Sequence, residues 1–131
     1  PNGARSLDHL VVMTDSLERT SDAFADRLGL ARRRVRETAT VRQAFHRFAD
    51  PVDPVDPTEA SRGCIVEIVE NPKVRRVGLW GVVVIVDDLD ALCADHPDLV
   101  GPPREAVQPG RRIATARREA DLATAVAFMT P

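Results

Sequence analysis

Tyrosine is absent, and aromatic residues make up only 4% of the 131 residues. So little ring surface leaves no stacking platform for nucleic-acid bases. Cysteine is scarce: Cys64 and Cys93 are the only two. A chain of this length builds a core without a covalent staple, so both are expected reduced and buried. An excess of one charge is also lacking, with 18 basic against 20 acidic side chains. That balance gives no electrostatic reason to expect nucleic acid or an anionic membrane as a partner. Long apolar runs are missing. The longest, Leu79 to Val86, is much too short to span a bilayer. The first residues hold no apolar signal region. A cytoplasmic chain is the expectation. No glycine-rich phosphate loop, Cys-x-x-Cys pair or His-Glu-x-x-His is present. With three histidines in all, a nucleophilic triad has little material.

What is present is an internal repeat. LDHLVVMTDSLERT (Leu7 to Thr20) aligns without gaps on LWGVVVIVDDLDAL (Leu79 to Leu92), at an offset of 79 − 7 = 72. CIVEIV (Cys64 to Val69) aligns on TAVAFM (Thr124 to Met129), at an offset of 124 − 64 = 60. Much of the difference lies in the Pro/Asp loop Asp50 to Pro57, which the second half lacks. Each half reads as an apolar strand, an acidic cap, an amphipathic helix and three more strands. Leu7 to Thr14 is β-branched and apolar enough for a strand buried on both faces. Asp15 with Glu18 reads as a capping box, and Asp87 with Asp90 repeats it. Leu17, Phe24 and Leu28 share one helical face, and Gly29 ends the helix. Strands follow over Ala31 to Thr38, Val41 to Phe48 and Cys64 to Glu70. In the second half, a strand from Trp80 to Val86 leads to a helix closed by His96-Pro97. The remaining strands are Arg104 to Val107, Arg112 to Arg117 and Ala123 to Met129, with a turn at Pro109-Gly110.

With LGL closing the first helix, RQAFHRF and IVEIVENP on the next strands, and AVAFMTP at the end, the pattern from Ser6 to Pro131 resembles the glyoxalase/bleomycin-resistance/dioxygenase (vicinal oxygen chelate) superfamily. The resemblance implies an α+β fold: two tandem βαβββ modules, residues 6–73 and 77–131 of one domain, forming a curved sheet around a cleft. It also implies a homodimer and a small-molecule ligand. Metal-dependent members carry one ligand on the first and one on the last strand of each module. Carried over, His9 and Glu67 match those positions in the first module, and Gly81 and Ala127 occupy them in the second. Half of the metal set is therefore present. A catalytic divalent metal usually has at least three protein ligands, so no conventional centre is expected unless His46, Glu119 or Asp121 completes it.

The resemblance leaves two functions open. In one, His9 acts as general base with Glu67 orienting it, in a lyase or isomerase step by proton transfer on a carbonyl-bearing substrate. In the other, as in the bleomycin-resistance branch, the cleft only binds and sequesters a ligand, and the small Gly81 and Ala127 enlarge it. His46, Trp80 and Arg112 are further ligand-contact candidates. Alternation leaves open which face His46 takes. Arg112 and Arg117 must point to opposite faces, because their separation is odd.

Overall fold

The computed structural model describes residues 3–48 and 63–131. The Pro/Asp loop lies outside the described residues. The elements run β1 (Ala4–Thr14), α1 (Leu17–Leu28), β2 (Arg34–Glu37), β3 (Arg42–Arg47) and β4 (Ile65–Glu70), then β5 (Gly78–Val86), α2 (Leu89–Asp95), β6 (Arg104–Glu105), β7 (Arg112–Thr115) and β8 (Ala125–Met129). This is βαβββ twice over, an α+β fold with mixed strand pairing. A 3-10 turn, Arg118–Ala120, is inserted before the last strand.

The chain divides into two compact units. One is His9–Trp80, with strand order β2-β3-β4-β1. The other is Gly81–Pro131, with order β5-β8-β7-β6, joined by the chain's first residues through Asp8. The halves of the repeat therefore differ slightly from the structural units. The start of β1 belongs with the second unit, where the Asp87 amide donates to the Gly3 carbonyl at 2.9 Å and Arg5 pairs with Asp87.

In the His9–Trp80 unit, α1 packs on one face of the sheet. Leu17, Ala44, Val66 and Ile68 form the core there, with Val12 and Phe24 against it. Leu28, in the last helical turn, is 61% exposed and takes no part. Thr20 and Ser21, in the helix's first half, are buried instead. The second unit repeats the arrangement with Val86, Leu89, Val100 and Ala114 beneath α2. The first strand is not buried on both faces as expected. Only Val11 and Thr14 are buried along it, one on each face, and the strand's first half is exposed. Both cysteines are free and half-buried, and burial pushes the Cys93 thiol up. No helix among the described residues is long and apolar enough to cross a membrane.

The helix caps fall one residue later than the sequence suggests. Ser16 caps α1 by accepting from the Arg19 amide, and Asp88 caps α2 by accepting from the Ala91 amide. Asp15 and Asp87 are left to pair with Arg19 and Arg5. The start of α1 has a second acceptor that local sequence could not reveal. The Leu17 amide donates to Glu70 Oε2 on β4 at 2.8 Å. That amide first, and Arg42 after it, hold the Glu70 carboxyl below its ordinary range, outweighing the opposing effect of burial. A carboxyl depressed in the folded state stabilises above its unfolded pKa and loses that contribution as pH falls through its folded value. Glu70→Gln is thus expected to lower stability by about 1 kcal/mol at neutral pH, the size of a lost cap. Urea unfolding at neutral and at acid pH checks this. The deficit should shrink toward acid, and an equal deficit at both would contradict it.

Candidate functional site

Strand register decides which side chains share a face. β1 runs parallel to β4 with His9 opposite Ile65 and Val11 opposite Glu67. β3 is antiparallel to β4, with Phe45 opposite Glu67 and Gln43 opposite Val69. β2 then sets Arg34 opposite Phe45 and Arg36 opposite Gln43. Because side chains alternate, His9, Glu67, Gln43, Phe45, Arg34 and Arg36 all lie on the face that α1 leaves uncovered.

Three of them form a diagonal polar line across the strands. Glu67 Oε2 stands 3.7 Å from His9 Nε2, with side-chain exposures of 17% and 12%. This is ion-pair range when the imidazole is protonated, and longer than a hydrogen bond. Unliganded catalytic pairs are often this loose and tighten with substrate. The other carboxylate oxygen, Oε1, accepts a short hydrogen bond from Gln43 Nε2. Gln43 Oε1 in turn accepts from Arg36 at 3.4 Å. Glu67 is therefore held from one side and presents its second oxygen to His9. Chemically, the line offers a base whose partner can stabilise an imidazolium, with enough exposure for a ligand to reach it.

The second unit repeats the register with different chemistry. Gly81 lies opposite Ala125 and Val83 opposite Ala127. The offsets are 81 − 9 = 72 and 125 − 65 = 60, the same two found in the sequence alignment. Ile113 lies opposite Met129 just as Gln43 lies opposite Val69. So His9, Gln43 and Glu67 correspond to Gly81, Ile113 and Ala127. In place of a polar line this face holds an apolar cluster of Val83, Ile85, Ala127 and Met129, with Ala106 and Ile113 packed on it. Gly81 does not open space of its own. A Cβ there would meet the Ala125 carbonyl oxygen at 3.0 Å and the Ala125 Cβ at 3.2 Å. Ala127 is 9% exposed within the cluster. The expectation that these two small residues enlarge a cavity is corrected accordingly: their smallness serves close packing.

His46 is also corrected. It is fully buried on the α1 side, adjacent in sequence to Phe45 and so on the opposite face. Its Nδ1 stands 2.6 Å from the Leu30 carbonyl oxygen and its Nε2 2.9 Å from Ser21 Oγ. A carbonyl only accepts, so Nδ1 carries the proton and the Ser21 hydroxyl donates to Nε2. The ring also tilts against Phe24, with centroids 5.6 Å apart. Arg112 is engaged elsewhere. It makes a two-pronged pair with Asp90 of α2, at 2.7 and 2.8 Å. Trp80 is 53% exposed near the start of β5. Neither His46 nor Arg112 therefore joins the polar line. The residue the sequence reading missed is Gln43, whose side is visible only once β3 is paired.

Among the described residues, the positions at which the resemblance implies ligands do not make a donor set for a resident divalent metal. His9 and Glu67 supply two ligands, and Gly81 and Ala127 supply no side-chain donor. No three His, Cys, Asp or Glu side chains converge anywhere among the described residues.

No protein-family model matches the chain, and no curated protein does. Solved structures do. Methylmalonyl-CoA epimerase of Streptomyces coelicolor, in complex with 2-nitronate-propionyl-CoA, superposes with a TM-score of 0.71 at 17% identity, covering 97% of each chain. The Mycobacterium tuberculosis epimerase gives a TM-score of 0.70 at 15% identity, covering 98% of this chain and 89% of the other. A further epimerase structure, holding methylmalonyl-CoA and ammonium, gives 0.71 at 17% identity over 97% and 94%. These epimerases belong to the vicinal oxygen chelate superfamily.

The chain has the vicinal oxygen chelate fold. Identity this low carries the fold and nothing finer, so the function rests on the residues themselves. On that fold, the first module keeps polar side chains at its first- and last-strand positions, and the second has replaced them with packing residues.

Proposed function

We propose that the chain is an enzyme of the lyase or isomerase type that moves a proton at the carbon next to a substrate carbonyl. The observation that carries this reading is the His9–Glu67 pair, held at 3.7 Å on the uncovered face with Gln43 behind it. Neutral His9 takes the proton, and Glu67 stabilises the imidazolium that results. Return of a proton from His9 to the same carbon exchanges it with solvent; return to a neighbouring atom isomerises the substrate. The neighbouring structures, epimerases with acyl-CoA ligands, make a thioester carbonyl the first candidate. A cytoplasmic homodimer working without a resident metal completes the proposal.

Sequestration without chemistry loses its main support, since Gly81 and Ala127 are packed rather than cavity-forming. The test is solvent exchange. Wild-type chain is incubated in heavy water with a panel of 2-substituted acyl thioesters, methylmalonyl-CoA among them, and deuterium at the α-carbon is followed by mass spectrometry. Incorporation above the enzyme-free rate on at least one member is expected. No incorporation on any member would remove the proposal.

A further inference from the structure

The charges of the His9–Trp80 unit are unevenly divided between its two faces. On the α1 side, Arg42 meets three carboxylates: Glu18 at 3.1 Å, Glu37 at 3.5 Å and Glu70 at 3.1 Å. Arg32 adds a fourth contact, to Glu18 at 2.8 Å. The uncovered face is the reverse. Register places Arg34, Arg36 and Arg47 on it, and Glu67 is the single carboxylate that β1 from His9 onward, β2, β3 and β4 contribute there. Among the described residues none of the three arginines has a carboxylate partner. Arg36 donates to Gln43, and the Arg34 guanidinium lies over the Phe45 ring at 5.7 Å from its centre. Among the described residues, three guanidinium groups around one carboxylate give this face a net positive field that favours an added anion.

Their placement relative to the pair is also set by register. Arg47 lies opposite Ile65, which lies opposite His9; Arg34 lies opposite Phe45, which lies opposite Glu67. Each arginine is thus two strands from a member of the pair, about 10 Å between Cα atoms. Long side chains on one face close much of that distance. We infer that Arg34 and Arg47, with Arg36 beside them, bind an acid group of the substrate, so that the substrate is an anionic carbonyl compound whose carboxylate or phosphoryl group lies a short acyl chain from the carbon facing His9. The planar guanidinium fork suits either acid group through paired hydrogen bonds. The inference rests on the proton-transfer reading for its second half, the carbon facing His9. The anion subsite stands on the arginines alone.

Full-length chain labelled with nitrogen-15 is titrated with succinate and, separately, with inorganic phosphate, following backbone amide shifts. Saturable shifts in β2 and β3 are expected in the low millimolar range. A succinate preference assigns a carboxylate substrate, and a phosphate preference a phosphoryl one. The double variant Arg34→Gln/Arg47→Gln should weaken binding at least about tenfold, as loss of two charge-assisted contacts implies. Arg118→Gln, in the 3-10 turn, should leave it unchanged. No saturable binding of either anion, or equal weakening by Arg118→Gln, would overturn the inference. The two readings fail separately. Anion binding lost in the double variant, with no exchange on any thioester, keeps the subsite and removes the proton transfer. Equal exchange of neutral and anionic thioesters does the opposite.

Discussion

His9→Ala is expected to lower α-proton exchange by about 10²- to 10⁴-fold, the usual share of a general base, with the fold intact. The side chain sits on the uncovered face, outside the Leu17–Ala44–Val66–Ile68 core, so its removal opens no cavity there. Glu67 keeps its hydrogen bond from Gln43. Rate and stability should therefore separate, with a large loss in kcat and little change in the urea midpoint. Glu67 acts through His9, so Glu67→Gln should lower kcat by roughly tenfold to a hundredfold and leave KM in place. A raised KM with kcat in place would make Glu67 a substrate contact rather than a positioning residue.

The other histidine of the sheet should behave in the opposite way. His46→Leu is expected to destabilise the chain by about 1–3 kcal/mol, because it removes the partner of one buried and one half-buried polar group at once. The Leu30 carbonyl, just past α1, loses its donor, and the Ser21 hydroxyl, on the buried side of α1, loses its partner. Exchange per folded molecule should stay near wild type. Denaturation and exchange measured on the same sample check both halves. A stable His46→Leu with impaired exchange would place His46 in the chemistry and contradict its core role.

The contrast between these histidines shows where the sequence is informative. The gapless repeat led to the element order, and the paired registers preserve its two offsets of 72 and 60. His9 and Glu67 were legible from the resemblance, and Gly81 and Ala127 from the repeat. Sidedness was not legible, because it depends on which residue of a neighbouring strand lies opposite. His46 and Gln43 are an odd number of residues apart, so they take opposite faces. Nothing local says which of them joins Glu67. The Glu67–Phe45 register decides it, and decides the arginines as well: Arg34, Arg36 and Arg47 face the pair, while Arg42 and Arg112 turn to the helices. The start of α1 shows the same limit. The cap itself is local, at Ser16 rather than Asp15, but the second acceptor at the helix start, Glu70, lies 53 positions from Leu17 in sequence. The smallness of Gly81 was read correctly as a missing ligand and wrongly as room. Only the position of Ala125 shows that the space is taken.

The central claim is that one polar line, in one module, moves a proton without a metal centre. Deuterium wash-in to a 2-substituted acyl thioester tests it most directly, run on chelator-stripped wild type, on the same sample with divalent metal restored, and on His9→Ala. The account predicts wash-in that survives stripping, gains little from added metal, and is lost in His9→Ala. Wash-in that vanishes on stripping and returns with metal, or that persists in His9→Ala, would contradict it.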